Sequence, residues 1–127
     1  MKKDIVSTDK APSAIGPYSQ GVRVNGFIFF SGQIPIDPST GEIVAGGISI
    51  QAEQVMQNIE ALLDVSGICF DNVVKSTIFL TNLADFGIVN DIYGQRFTAP
   101  YPARSTVQVS ALPKGVAIEI EVVALAA

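Results

Sequence analysis

Apolar residues recur along this chain with two different periods, and the switches between them mark out its elements. Val22–Ser31 reads as strand, turn, strand. Its Asn25-Gly26 pair suits a tight type I′ turn, in which both central residues need positive φ. Ser31–Ile36 extends that strand, and Asp37–Gly41 turns the chain again. Pro35 puts this end at an edge or an irregularity of a sheet. From Ser49 to Ser66, Ala52, Val55, Met56, Ile59 and Leu63 follow helical spacing; Ser49 is the predicted N-cap, and Gly67 can close the helix. Val73–Leu80 is a third strand. Asn82 then caps a predicted helix from Leu83 to about Phe97, with Phe86, Val89, Ile92 or Tyr93, and Phe97 facing inward. Two further strand-like runs, Tyr101–Val109 and Val116–Ala124, close the chain. The turn-rich link Ser110–Gly115 between them is short enough to predict antiparallel neighbours. Residues 1–20 read as an irregular or extended lead-in punctuated by Pro12, Gly16 and Pro17.

This order, strand pair, helix, strand, helix, strand pair, predicts a single α+β domain over residues 1–127 with both helices on one face of the sheet. No linker or low-complexity segment interrupts it. The strands carry a second message. Apolar residues occupy both alternations in Phe27–Phe30 and Val122–Leu125, as in strands covered on both faces. Composition agrees: 127 residues with 48% hydrophobic and 16% charged positions, and a mean hydropathy of +0.39, exceed what a small monomer readily hides. A homo-oligomer with a substantial interface is predicted, the second cover being another copy of the same sheet.

Charge and residue types narrow the chemistry. The net charge is −4, and the eight Lys and Arg residues form no basic run, which argues against a nucleic-acid partner. With no His and one Cys, the usual transition-metal sites and the Ser-His and Cys-His nucleophile systems are excluded, and no Mg²⁺ or Ca²⁺ motif occurs. Proton transfer falls to carboxylates, Tyr, Lys, backbone or water. The single Cys69 cannot form an intrachain disulfide. No signal-peptide pattern and no membrane-length apolar run are present, so a soluble, cytoplasmic protein is predicted.

Arg104 and Glu119 stand out because each interrupts an apolar strand. Such charges must be satisfied. Arg104 is either a strand-end cation paired with Glu119 or Glu121, or a bidentate clamp for a ligand carboxylate, the task guanidinium geometry suits best. In the second case Glu119 is free to handle water, and a nearby Arg104 should favour its ionised form. Glu119 and Glu121 share one strand face, which is equally the pattern of a solvated surface. Tyr18 is a packing residue or a phenol donor. Gly32 permits close backbone approach or marks a bulge. Thr106 is an ordinary strand residue by type.

Together these residues resemble one family. Ala14–Gly21 (Ala-Ile-Gly-Pro-Tyr-Ser-Gln-Gly), Ser31–Pro35, Pro102–Val107 (Pro-Ala-Arg-Ser-Thr-Val), Leu112–Lys114 and Ile118–Glu121 are similar to blocks of the reactive intermediate deaminase A family, the YjgF-like imine/enamine deaminases. The resemblance runs from about Thr8 to Leu125. It implies a chorismate-mutase-like homotrimer, with sheets facing the trimer core and active sites between subunits. It also implies hydrolysis of 2-imino acids or their enamine tautomers to 2-oxo acids and ammonia, with no cofactor and no metal. By motif position, Arg104 would hold the substrate carboxylate and Glu119 would orient water. Tyr18, Gly32 and Asn90 would contact substrate. Many members carry Cys two residues after the arginine, where this chain has Thr106; that excludes a thiol nucleophile but leaves a hydroxyl to hydrogen-bond the imine. A non-catalytic module binding carboxylates or 2-oxo acids in the same cleft is the alternative.

Overall fold

One six-stranded sheet organises the chain. The computed structural model describes residues 2–127. Strands β1 (Asp4–Val6), β2 (Gly21–Val24) and β3 (Phe27–Phe30) open it, and a two-stranded hairpin of β4 (Ile36–Asp37) and β5 (Glu42–Ile43) stands apart. Helix α1 (Ile48–Val65), β6 (Val73–Leu80), α2 (Phe86–Gly94), β7 (Ala103–Gln108) and β8 (Ile118–Leu125) follow. The order across the large sheet is β1-β2-β3-β8-β6-β7, with β7 parallel to β6 and the other pairings antiparallel.

The hairpin at Asn25-Gly26 forms as its sequence predicts: both residues have positive φ, 50° and 80°. Every predicted inward residue of α1 is buried, and Leu62 joins them. Asn82 does cap, accepting the Ala84 N–H at 2.9 Å, but it opens a short 3₁₀ turn at Leu83–Asp85 before α2 begins. The α2 helix stops at Gly94, short of Phe97, which still packs inward against Tyr93 with ring centroids 4.4 Å apart. Ile28, Leu62, Ile78, Leu80 and Ile118, all fully buried, lie in one core cluster between helices and sheet. Each such side chain contributes about 1.5–3 kcal/mol of burial.

Two expectations need correction. The closing strands are not neighbours. The β6-α2-β7 stretch is a strand-helix-strand unit that lays β7 parallel against one edge of β6, leaving the other edge for β8. The link through Pro113-Lys114-Gly115 therefore carries the chain past β6 rather than around a hairpin, with Lys114 itself at φ 58°. Ser49 is not the N-cap; Gly47 holds that place with no side-chain cap, and the helix has already begun at Ile48. The lead-in is extended at β1, which pairs with β2 at the sheet edge, and irregular beyond it, as expected.

The sheet carries its helices on one face. On the other, Phe27, Phe29 and Leu125 remain exposed although they alternate with fully buried neighbours. Strand β7 is an open edge.

A candidate active site in two halves

Strand register sorts the candidate residues by face. Ser76, Ile78 and Leu80 of β6 point to the helices, and Ser76 Oγ shares a buried hydrogen bond with the Tyr93 hydroxyl of α2. Arg104 lies opposite Ser76 in the parallel ladder, so it rises on the helix face. Glu119 lies opposite Phe79, on the reverse face. Strand β6 separates the two residues as well. Arg104 and Glu119 of one chain therefore do not meet.

The Arg104 half is built on aromatic rings. The guanidinium carbon sits 5.3 Å from the Phe86 ring centroid and 5.1 Å from that of Tyr93, and Nη1 donates to Asn90 Oδ1 at 2.8 Å. Positions 86, 90 and 93 recur at helical spacing on α2, which is why one helix face supplies all three contacts. Among the described residues the ion pairs are Lys2–Asp4 and Arg96–Glu53, so no carboxylate neutralises Arg104. The cation is aimed without being quenched: stacking and one amide bond restrict the guanidinium, while its other donors face a depression lined by Asn90, Tyr93, Gly94, Tyr101 and Pro102. Burial holds the Tyr93 phenol above its usual range, against the opposing pull of Ser76 and Arg104, so it stays neutral beneath the cation.

The Glu119 half is a cavity of about 610 Å³ whose walls include Pro12, Ile15, Tyr18, Gly32, Ile34 and Lys114. Gly32 has a specific reason to be glycine: a side-chain carbon built there would overlap Glu119 Oε2 and come within 2.9 Å of Cδ. The carboxylate lies in the space that glycine leaves. The bridge between Gln33 and Ile120 fixes this register, with N–H to carbonyl distances of 2.8 and 3.1 Å in the two directions. Burial, and secondarily the nearby Glu121, raises the Glu119 carboxyl above the usual carboxylate range. Across the cavity, the Tyr18 oxygen accepts the Ile15 N–H at 3.4 Å, which leaves the phenolic proton available to another acceptor.

The structure thus brings Tyr18, Gly32 and Glu119 together, and separately Arg104 with Asn90. It overturns the expectation that Arg104 favours the ionised form of Glu119 within the chain, because the two occupy opposite faces and Glu119 is shifted the other way. Neither of the carboxylates predicted as its partners pairs with Arg104. Thr106 shares the helix face with Arg104 opposite Ile78, half-buried, and is not among the residues lining the depression. Sequence reasoning treats Phe86 and Tyr93 as core alone and assigns no part to Tyr101; helical spacing under an arginine was the one available sign. No group of three or more His, Cys, Asp or Glu able to hold a metal ion occurs among the described residues.

Known proteins share this arrangement of strands and helices. The sequence model of the family described as Endoribonuclease L-PSP matches residues 8–126. The human 2-iminobutanoate/2-iminopropanoate deaminase is 51% identical over 121 residues, covering 95% of this chain and 88% of its own. Among solved structures, RidA from an Antarctic Psychrobacter superposes with a TM-score of 0.91 at 44% identity, covering 96% of this chain and 98% of its own. Escherichia coli TdcF with bound serine gives 0.91 and 44%, covering 98% and 99%. With the fold, the motif blocks and nearly the whole length in agreement, the chain belongs to the Endoribonuclease L-PSP family, which includes the reactive intermediate deaminases.

Proposed function

We propose that this protein is an enamine/imine deaminase that hydrolyses 2-imino acids, such as 2-iminopropanoate and 2-iminobutanoate, to 2-oxo acids and ammonia. It works as a homotrimer in the cytoplasm, each site lying between the Arg104 half of one copy and the Glu119 half of the next. The observation that carries this reading is the placement of an unneutralised, pre-aimed arginine and a half-buried carboxylate on opposite faces of one sheet. Opposite faces can meet only between molecules. The exposed Phe27, Phe29, Val107 and Leu125 and the open edge of β7 support such an assembly. The single free Cys69 suits a reducing compartment.

The reaction needs positioning and proton transfer. Arg104 takes the substrate carboxylate as a bidentate pair, with Asn90 holding the guanidinium plane. Glu119 accepts a proton from water as the water oxygen bonds to the carbon of the protonated imine, whose nitrogen takes up the C=N electron pair. A raised carboxyl pKa makes Glu119 the stronger base once ionised. The resulting carbinolamine collapses: protonated Glu119 gives its proton to the nitrogen, the C–N bond breaks as ammonia leaves, and the hydroxyl oxygen becomes the carbonyl as its proton passes to the carboxylate so freed. Tyr18 offers its phenolic proton to a substrate oxygen or nitrogen. Thr106, beside Arg104, supplies a hydroxyl in place of a thiol. The names of the human and bovine relatives specify this imine chemistry, and serine bound to TdcF is a ligand of the same amino-acid size and charge. An RNA partner finds no counterpart in an acidic chain with eight scattered cations.

The test is a dehydratase-coupled assay of freshly generated 2-iminobutanoate with wild type, Arg104→Ala and Glu119→Gln. Wild type should release 2-oxobutanoate well above the spontaneous rate and both variants should fall to it. Tight 2-oxo acid binding without turnover would instead make the protein a carboxylate-binding module.

A further inference from the structure

We infer that Gln20 is a positioning residue for the Glu119 half of the site, acting as the clamp that holds the irregular 8–19 segment as a wall of the cavity. This rests on the function proposed above. The segment from Thr8 to Ser19 forms neither helix nor strand, yet Ala11 is buried and Pro12, Ser13, Ile15 and Tyr18 line the cavity beside Glu119. Backbone in such a place needs partners that no ladder supplies. Gln20, only 4% exposed, supplies them. Its Nε2 donates to the carbonyls of Thr8 at 3.0 Å, Ala11 at 3.3 Å and Pro12 at 2.7 Å, while Oε1 accepts the Thr8 N–H at 2.7 Å. The same residue reaches the other wall through its backbone: its carbonyl accepts the Ser31 N–H at 2.9 Å, and Ser31 Oγ donates to the Ser19 carbonyl at 2.5 Å. Ser31 precedes Gly32, the glycine under the Glu119 carboxylate.

One side chain therefore ties the Tyr18 wall to the Gly32 floor. Only a carboxamide fits. Its two amide N–H groups are shared among three carbonyls while its oxygen accepts one N–H, which no carboxylate, hydroxyl or ammonium can do. A Tyr18 displaced by about 1 Å loses its contact with substrate, a misplacement that costs on the order of a hundredfold in rate. The Arg104 half shares none of these bonds, so carboxylate anchoring is untouched.

The experiment compares wild type, Gln20→Leu and Gln20→Glu in the coupled assay from mildly acidic to neutral pH, alongside backbone deuterium exchange. Gln20→Leu should lose about 100-fold in kcat with KM little changed, at every pH. Gln20→Glu should recover activity as pH falls, because the protonated acid regains one donor toward the carbonyls while the carboxylate repels all three. That slope is opposite to the acid loss expected of wild type, and the fall in kcat at unchanged KM, with exchange quickened at Thr8 and Tyr18, is what a general loss of structure would not give. Deuterium exchange at Thr8 and Tyr18 should quicken in both variants at neutral pH. Wild-type kcat in Gln20→Leu, or a Gln20→Glu profile parallel to wild type, would overturn the inference. Should Gln20→Leu fail to fold, the Gln20→Glu profile decides alone. If wild type itself shows no turnover, the function fails while the clamp is still decided by exchange, unchanged protection at Thr8 and Tyr18 counting against it.

Discussion

The two halves of the site achieve order by different means. On the helix face, Arg104 is held by a regular element: α2 presents Phe86, Asn90 and Tyr93 at helical spacing beneath a strand-borne guanidinium. On the reverse face, Glu119 is held by the lack of a side chain at Gly32 and by walls of irregular backbone fastened by a buried amide. The cation needs restricted motion and open donors, which aromatic stacking provides without neutralising it. The carboxylate needs partial removal from water, so that its proton affinity rises. A single rigid sheet can supply both environments because its faces are chemically independent, and this same independence keeps Arg104 and Glu119 of one chain apart.

Breaking either half should remove nearly all catalysis. Arg104→Ala and Glu119→Gln are each expected to lower kcat/KM by about 10³-fold in the coupled assay, the scale of lost general-base help and of lost substrate positioning. The two variants should rescue one another. Unfolded together and refolded as random trimers, they should place intact Arg104 against intact Glu119 in about one quarter of the sites of a cyclic assembly and recover that share of activity. No recovery would confine both halves to a single chain and break the comparison.

Gly32→Ala probes the carboxylate half alone. The added methyl must displace the Glu119 carboxylate, so kcat should fall about 10²-fold while 2-oxo acid binding, measured calorimetrically, is retained. Asn90→Ala probes the other half and should raise KM about tenfold, the cost of one charge-assisted hydrogen bond, with little change in kcat.

The pH profile sharpens the contrast at smaller amplitude. Glu119 must be ionised to take a proton from water, so activity should fall on acidification, and Glu121→Gln, which removes a charge that raises Glu119, should move the midpoint down. Folding stability runs the other way. A carboxyl raised in the folded state gains relative stability as pH falls through its folded pKa, so the protein should lose activity before it loses structure. Glu53 behaves oppositely. Its hydrogen bond and charge pairing with Arg96 lower it, and that contribution is present above the unfolded pKa and lost as pH falls through the folded one. The pair is partly exposed, so Glu53→Gln should cost about 1 kcal/mol or less by denaturant titration.

Sequence alone determined the elements, since helical and alternating periodicities are local properties that burial against any core will select. The Asn25-Gly26 turn, the buried stripe of α1 and the Asn82 cap were all readable for that reason. Arg104 and Glu119 were visible as charges in apolar strands, a conflict that residue type alone reveals. Their mutual geometry was not visible. It depends on β8 pairing with β6 on the side away from β7, a choice among sheet edges that the short link at Ser110–Gly115 does not encode. Nor could composition show that Phe86 and Tyr93 stack on Arg104, or that Gly32 makes room for Glu119, because both are contacts between residues distant along the chain. Tertiary structure decided these because strand order sets which side chains share a face, and a face is where charge, burial and reactants meet.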